Sequence, residues 1–435
     1  MTRFLILSDI HACDVDPASP QAPSYVSSFN SAATARLDPL SDLLRVFKEE
    51  AVKPNYILCA GDITNRSSPT AFNYAWGRLH SLANDLDAQL IATVGNHDLD
   101  SRFQANKFDP RGYAMSLQPT IPVAERVPFL EYWAQNFTVL KFDDCNIAAL
   151  NTAAYHGIGK DIEIEIEHGR ISDVTLEKLE LELAELETRP TNILLCHHHP
   201  IRGDHGDHDL VGLTRGGEKL VDLLGRASSP WIIVHGHKHV PDLFYGHGGG
   251  SNAPVVLGSA SFSAQVNRDA QNKNPNQVHL LVTDPTGAAA DGLTYAGSVL
   301  SWTWQAGVGW SKAQGAQGLP YVTGFGYKAS VDALAQQIEG LLTAGGTNHL
   351  SWKDAMAAVP SIGRLVPTDF VLFREALRKL NLTIMTDEGE YAQIGRRARA
   401  RYLNLMRGRS PHRRLRVLLS HLSAILQHCL RGITP

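Results

Sequence analysis

Five short apolar segments of this chain each end in side chains that can bind a metal ion. The segments begin at Phe4, Tyr56, Leu90, Asn192 and Trp231, and each is long enough for one buried β-strand. The polar residues that follow them are Asp9 and His11, then Asp62, then Asn96 and His97, then a histidine before Pro200, and finally His237 and His239. Because open α/β sheets place their sites at the carboxyl ends of strands, we expect these residues to meet at one edge.

Amphipathic helices separate the first three strands. Pro39–Ala51 has apolar residues at helical spacing after a proline, and Phe72–Leu86 has a similar pattern. The alternation of strand and helix predicts a layered α/β fold. Residues Val139–Leu150 predict a hairpin, and Ile162–Glu167 alternates isoleucine with glutamate as a half-exposed strand does.

The donor set indicates a particular class of metal. Mixed oxygen and nitrogen ligands favour Mn, Fe or Zn over Mg and Ca, which prefer oxygen alone. The residues are numerous enough for two divalent ions, which in such sites lie about 3.5–4 Å apart and hold a phosphoryl group between them. Manganese is our working assignment.

The ordered motifs Asp-x-His, Gly-Asp, Gly-Asn-His-Asp, His-x-Pro and Gly-His-x-His resemble the calcineurin-like metallophosphoesterase superfamily over about residues 1–285. The resemblance implies a four-layer α/β sandwich, in which helices flank two mixed β-sheets and two metal ions lie at the sheet edge. It also implies a metal-dependent phosphoric ester hydrolase that attacks phosphodiesters with metal-bound hydroxide.

The resemblance also implies a role for each motif residue. One metal would be held by Asp9, His11, Asp62 and His239, and the other by Asp62, Asn96, His198 and His237, with Asp62 bridging. His198 fits the His-x-Pro motif, and we expect its alternative, His197, to point to the opposite side of the strand end. His97 would be the catalytic acid or electrostatic stabiliser, and Asp98 would orient it.

One motif departs from the phosphoprotein phosphatases of the superfamily, which have Gly-Asp-x-x-Asp-Arg-Gly. Residues 61–67 read GDITNRS, so that Asn65 replaces the aspartate and Ser67 the glycine. This departure argues against a protein phosphatase. Arg66 remains and could bind a phosphate oxygen, although it could equally be a surface arginine. We predict Arg66 and His199 as substrate contacts.

The character of the sequence changes after about residue 285. We predict a metallophosphoesterase domain at 1–285, a Gly/Trp-rich connecting segment or set of edge strands at 286–328, and a mainly helical, basic region at 329–435. From Tyr391 to Pro435 there are ten arginines and no acidic residue, in a chain with 40 basic and 44 acidic residues. The arginine-rich segment 396–416 could bind nucleic acid, and Leu415–Leu430, which has helical apolar spacing, could lie on a membrane surface. Alternatively, this tail docks on the acidic body of the protein or on a partner.

Composition places the chain among soluble, cytoplasmic proteins. The five cysteines are odd in number and show no paired spacing, which fits reduced thiols. The N-terminus reads as a strand and not as a signal peptide, and no apolar segment is long enough to span a membrane. The sequence is compatible with both a monomer and an oligomer.

Three functions fit these observations. We expect a phosphodiesterase acting on nucleic acid or nucleotides, which includes nuclease activity. The alternatives are a phosphodiesterase of cyclic nucleotides or other small molecules, and a scaffold protein with a vestigial metal site. The complete ligand set argues against the scaffold.

Overall fold

Two mixed β-sheets pack face to face in the structure, a computed structural model that describes residues 1–29, 37–104, 106–158, 167–203, 212–246, 252–265, 274–315, 318–387 and 390–397. The first sheet has the spatial order β12 (Gly309–Lys312), β11 (Gly297–Gln305), β10 (Asn276–Thr283), β1 (Thr2–Leu7), β2 (Tyr56–Cys59) and β3 (Gln89–Ala92), and β13 (Val322–Phe325) pairs with β11. Strands β1, β2 and β3 are parallel, while β10 is antiparallel to β1.

The second sheet has the order β4 (Phe137–Lys141), β5 (Cys145–Leu150), β6 (Thr191–Leu195), β7 (Ile232–His235), β9 (Val255–Gly258) and β8 (Asp242–Tyr245). Strands β5, β6, β7 and β9 are parallel, and β4 forms the predicted hairpin with β5. Parallel strands of both sheets therefore end at the same side of the molecule.

Helices cover the outer face of each sheet and complete four layers. On the first sheet, α1 (Pro39–Glu49) and α2 (Pro69–Leu86) bury Phe47 and Trp76 against the strands. After β3 come the shorter α3 (Gly112–Ser116) and α4 (Arg126–Gln135). On the second sheet, α5 (Asp173–Ala184) and α6 (Gly217–Arg226) pack through Leu179 and Leu220. The predicted four-layer α/β sandwich is confirmed.

Aliphatic side chains of alternating strand positions fill the space between the sheets. Phe4 and Ile6 of β1 meet Ile147 of β5 and Val234 of β7 in this layer. Leu5 and Leu7 point the other way, towards α1 and α2. The period of two in β1 thus places one set of residues between the sheets and the other under the helices.

Residues 286–325 extend the first sheet as edge strands. Of the two predictions for this segment, a connecting segment or a set of edge strands, the second describes the structure. After the short α7 (Pro285–Ala290), strands β11 to β13 bring Trp302, Trp304 and Trp310 into the core, where each is at most 5% exposed. These tryptophans are therefore packing residues. The domain boundaries given above stay a prediction.

A smaller body follows, with its own core around Ile338, Phe373 and Leu377. It runs α8 (Val331–Ala344), β14 (His349–Ser351), α9 (Trp352–Ala358), a 3₁₀ helix (Pro360–Arg364), α10 (Pro367–Lys379), β15 (Leu382–Asp387) and β16 (Glu390–Arg396). The sequence predicted its helices and missed its sheet, whose order is β14-β16-β15.

Several predictions concern residues that the structure does not describe. The alternating strand at 162–167 lies outside the described residues except for Glu167, and the arginine-rich segment does so from residue 398 onward. Within the described residues, no helix is both long and apolar enough to cross a membrane. Cys13, Cys59, Cys145 and Cys196 are buried free thiols.

Candidate metal centre

The polar residues that follow β1, β2, β3, β6 and β7 converge at one edge of the sandwich. Five of them have a positive φ angle, a region that side chains with a Cβ seldom adopt: Asp9 (52°), His11 (49°), Asp62 (51°), His237 (77°) and His239 (56°). Such strained backbone clusters at functional sites. The turns therefore sacrifice local stability to aim these side chains at a common point.

The first group of ligand atoms comprises Asp9, His11 and His239, together with Asp62. Nε2 of His239 lies 3.3 Å from Oδ1 of Asp9 and 3.1 Å from Nε2 of His11. Nε2 of His11 is also 3.6 Å from Oδ2 of Asp62. Nitrogen and carboxylate oxygen atoms at these separations can surround one cation.

The second group lies on the other side of Asp62. Oδ1 of Asn96 is 3.1 Å from Nε2 of His197 and 3.1 Å from Nδ1 of His237. Nε2 of His197 is 3.3 Å from Oδ2 of Asp62, the same oxygen that faces His11. Asp62 is thus placed between the two groups.

The orientation expected of His197 was wrong. Its ring faces Asp62 and Asn96, because β6 ends at Leu195 and the alternation of a strand does not continue through residues 196–198. Nδ1 of His197 lies 2.7 Å from the carbonyl oxygen of Ala60. A carbonyl only accepts, so this contact fixes a proton on Nδ1 and directs Nε2 towards the site.

His198 lies beside this group and is held differently. Its Nδ1 is 2.8 Å from Oγ1 of Thr152, a residue that the sequence did not single out. Its Nε2 has no hydrogen-bond partner among the described residues. A ring nitrogen of His198 lies within 4.8 Å of ring nitrogens of both His197 and His237, close enough for the three to share a metal ion. Both histidines before His199 are therefore near the second group.

His97 stands beside the first group. Its backbone N–H donates to Oδ1 of Asp62 at 2.8 Å, and its ring meets that of His11 edge-on at 4.6 Å. Nδ1 of His97 lies 3.1 Å from Oδ1 of Asn65. Burial lowers the pKa of His97, and Asp62 partly opposes this effect.

Asp98 does not orient His97, contrary to the sequence-based expectation. Its carboxylate accepts from the backbone N–H groups of Gly95 (2.8 Å) and Thr64 (2.9 Å), and so ties the turn after β2 to the turn after β3. Burial and, next, the charge of Asp62 raise the pKa of Asp98 to about 7. The residue that contacts the ring is Asn65, in the motif position where the protein phosphatases have aspartate.

The electrostatics of the site suit a cation. Burial alone would raise the pKa of Asp62, but the imidazoles of His197 and His97 outweigh it and hold that pKa well below its usual range. Burial lowers the pKa of His11 to about 3 and that of His237 well below its usual value, so both rings are neutral. Burial also acts to lower the pKa of His197, but the charge of Asp62 outweighs it and raises that pKa to about 9, so this ring must lose a proton when a metal ion binds.

A close approach between two turns depends on glycine. A Cβ on Gly95 would collide with the Asp62 carboxylate. Gly95 therefore lets Asn96 and His97 lie directly over the residue shared by both groups.

Three further residues concern the substrate. Arg66 is exposed, has a φ of 52°, and its backbone N–H lies 3.4 Å from Nδ1 of His97. The ring of His199 stacks near that of His237, with centroids 5.9 Å apart. Arg102, which the sequence did not single out, is exposed. Burial is the main cause of the lowered pKa of His97; the charge of Arg102 adds to this effect, whereas the charge of Asp62 opposes it.

Two protein-family models match segments of this chain. The model of the calcineurin-like phosphoesterase family matches residues 2–241, more than half of the chain. The chain belongs to the calcineurin-like phosphoesterase family. A second family model, wHTH-Calcineurin_assc, matches residues 323–379. The suspected superfamily is thereby confirmed.

Individual relatives of this calcineurin-like protein are distant. It is 25% identical over 204 residues to a cAMP/cGMP dual specificity phosphodiesterase of Mycobacterium tuberculosis, which covers 46% of this chain and 54% of the relative. It is 26% identical over 195 residues to the 3′,5′-cyclic adenosine monophosphate phosphodiesterase CpdA of Escherichia coli, covering 44% and 58%. The chain thus spans little more than half the length of these relatives.

Among solved structures, PhoD aligns with 75% of this chain and 69% of its own, at 8% identity and a TM-score of 0.45.

Proposed function

We propose that this protein is a phosphodiesterase that works with two divalent metal ions at the edge of the sandwich. The observation that carries the proposal is the position of Asp62, whose Oδ2 faces His11 at 3.6 Å and His197 at 3.3 Å. A carboxylate shared in this way is what a pair of bridged ions needs.

The ligand atoms fit such a pair. Together with Asp62, the residues Asp9, His11 and His239 would coordinate the first ion. Asp62 would also coordinate the second ion, together with Asn96, His197 and His237. We propose His197 in place of His198, because Nε2 of His197 lies within 3.3 Å of both Asp62 and Asn96. His198 remains a candidate for an additional ligand through its free Nε2.

When bound, two such ions would polarise the phosphoryl group and lower the pKa of a water molecule between them. The mixture of carboxylate, amide and imidazole donors favours Mn, Fe or Zn, and manganese is the ion we would supply first.

His97 would act at the leaving oxygen. When the ring is protonated, Oδ1 of Asn65 would accept a hydrogen bond from Nδ1–H, and Nε2–H would be left to donate to the leaving oxygen. Arg66 and Arg102 are near His97 and would bind phosphate oxygens, and His199 would contact the substrate beside His237.

We propose a nucleotide phosphodiester as the substrate, in one of two forms. The ten arginines after Tyr391 favour nucleic acid, bound in part through segment 396–416. The names of the relatives above favour a cyclic nucleotide, for which the catalytic domain alone would suffice. We also infer a cytoplasmic location from the free thiols, which persist in reducing compartments.

A metal analysis combined with an activity panel tests this function. The chain is loaded with Mn²⁺, dialysed and assayed on a generic monoester, a generic diester, cyclic AMP and cyclic GMP, and single- and double-stranded DNA and RNA. We expect two ions per chain and hydrolysis of the generic diester. A chain that binds no metal and cleaves no ester would instead support the scaffold alternative.

A further inference from the structure

The C-terminal body has the connectivity of a winged helix. Its elements run α8, β14, α9, α10, β15 and β16, and the three strands pair in the order β14-β16-β15. In helix-turn-helix proteins the second helix of the motif enters the major groove with its N-terminal residues. The helix in that position here is α10.

The N-terminal end of α10 is covered by the catalytic domain. Val366, the residue before the helix, is 2% exposed and belongs to the core between the two sheets. Burial and, to a lesser degree, the charge of the neighbouring Asp369 raise the pKa of Tyr245 in β8 to about 12. Arg364 also pairs with Asp291 of the catalytic domain at 2.9 Å. This end of α10 therefore cannot enter a DNA groove without undocking.

The opposite end of α10 is free and basic. Arg374, Arg378 and Lys379 are exposed, and the first two have no ion pair among the described residues. Lys379 has only a long, exposed contact of 3.8 Å with Asp332. The ring of Tyr391 packs with those of Trp352 and Phe370, and Arg374 is close enough to oppose, with its charge, the rise that burial causes in the pKa of Tyr391.

Strand β16 brings more positive charge to the same place. The backbone N–H of Arg397 donates to the carbonyl of Asn381, two residues beyond the end of α10, at 2.8 Å. From there the sequence continues to Pro435 with eight more arginines and no acidic residue. We call Arg374, Arg378, Lys379 and Arg397 the basic end of the winged helix.

The wing has the opposite charge. The sequence that joins β15 to β16 reads Asp387-Glu388-Gly389-Glu390. Because β15 runs from Leu382 to Asp387, Asp387 lies about 17 Å from Leu382, the end of the strand near Arg397, at the usual rise of a strand. An acidic wing would repel the phosphates that a wing normally contacts.

We propose that nucleic acid docks on the basic end of the winged helix, through its phosphates, and not on the N-terminus of α10 or the wing. The proposal rests on the nucleic-acid partner proposed above but not on hydrolysis. Helix α10 meets the catalytic domain away from the metal centre, because Tyr245, the neighbour of Asp369, pairs with Val255 at the far end of β9, whereas the metal-binding turns lie at the end marked by Gly258.

The test compares charge reversals in the full chain by the fluorescence anisotropy of a labelled DNA duplex. The variant R374E/R378E reverses the basic end, and K219E/R226E makes the same change of charge on α6. Binding is measured between about 50 and 200 mM salt, where each lost phosphate contact lowers the slope of log K against log salt by about one. We expect R374E/R378E to bind at least about tenfold more weakly with a slope smaller by about two, and K219E/R226E to bind nearly as the wild type does.

Three results would overturn the proposal. The first is a double variant on α10 that binds like the wild type. The second is an equal loss in both double variants, which would indicate a response to net charge alone. The third is a strong gain of affinity in Asp387→Lys without any loss in R374E/R378E, which would assign binding to the wing. If the wild-type chain binds no DNA even at low salt, the proposal of a nucleic-acid partner is wrong. The proposed hydrolysis of small diesters is unaffected by that result, because the activity panel tests it independently.

Discussion

Oδ1 of Asn65 lies 3.1 Å from Nδ1 of His97, in a position where a carboxylate would be the usual partner of a catalytic imidazole. An amide oxygen only accepts, as a carboxylate does, so it can take a hydrogen bond from Nδ1–H of the protonated ring. It stabilises the protonated ring less, since it has no charge. The site thus combines an oriented histidine with a lowered pKa.

Substitution of Asn65 should therefore change turnover and its pH dependence. Asn65→Ala should lower kcat about 10- to 100-fold while both metals stay bound, as loss of an orienting partner does. Asn65→Asp should raise the pKa of His97 and move the corresponding limb of the kcat profile to higher pH. Asn84→Ala, on the exposed surface of α2, is the control. A larger displacement of that limb by Asp98→Asn would contradict this assignment.

The shared position of Asp62 predicts that metal and activity are lost together. Asp62→Ala removes a ligand from both groups, so elemental analysis should find fewer than two ions and no measurable turnover. His97→Ala leaves all ligand atoms in place, and we expect two ions with kcat reduced by about 10²–10⁴. If His97→Ala also loses an ion, His97 is a ligand and not the residue at the leaving oxygen.

His197 and His198 should differ in their contribution to metal binding. His197→Ala should weaken one of the two ions strongly, because its Nε2 lies between Asp62 and Asn96. His198→Ala should have a smaller effect, of about 10-fold, if it supports the second ion from outside. Competition with a chelator measures both affinities. The reverse order of effects would restore His198 as the main ligand.

The sequence predicted the sandwich well because its strands are continuous apolar segments that end at polar turns. Strands β1, β2, β3, β6 and β7 each begin within two residues of the predicted position. Edge strands were harder to recognise. Strand β8 is only four residues long, and it follows directly on the Gly-His-x-His turn.

The roles of single residues depended on geometry that no motif contains. His197 faces the site because the strand ends at Leu195, and the sequence does not reveal that end to within one residue. Asn65 precedes two residues with a positive φ, Arg66 and Ser67, and the backbone N–H of Ser67 donates to the carbonyl of His97 at 2.7 Å, which holds this turn against His97. Arg102 escaped notice because a single exposed arginine has no periodic pattern.

Acid should destabilise the fold through His279, which is away from the metal-binding turns. The side chain is fully buried in β10, next to Ser301, and burial lowers its pKa to about 3. In the unfolded chain the pKa would be about 6.5, so the stability of the neutral form is complete above pH 6.5 and declines as pH falls towards 3. His279→Gln should remove up to about 1.4 kcal/mol per pH unit from the slope of unfolding free energy in that range. Urea titrations of the metal-free protein at several pH values measure it, and an unchanged slope would show that His279 does not titrate in this way.

Arg102 should contribute to substrate binding and not to metal binding. Its loop is held by Asp100, whose buried carboxylate accepts from the backbone N–H groups of Gln104 (2.8 Å) and Asn106 (2.7 Å). Arg102 follows Asp100 by two residues and is near enough to His97 for its charge to add to the effect of burial in lowering the pKa of that ring. Arg102→Ala should raise KM for an anionic diester about tenfold, the effect of losing one hydrogen bond to a charged group, with little change in metal content. Arg102→Lys should recover part of the loss, and Lys107→Ala, exposed in the same loop, should leave KM unchanged. Equal effects of Arg102→Ala and Lys107→Ala would mean that the loop acts only through its general positive charge.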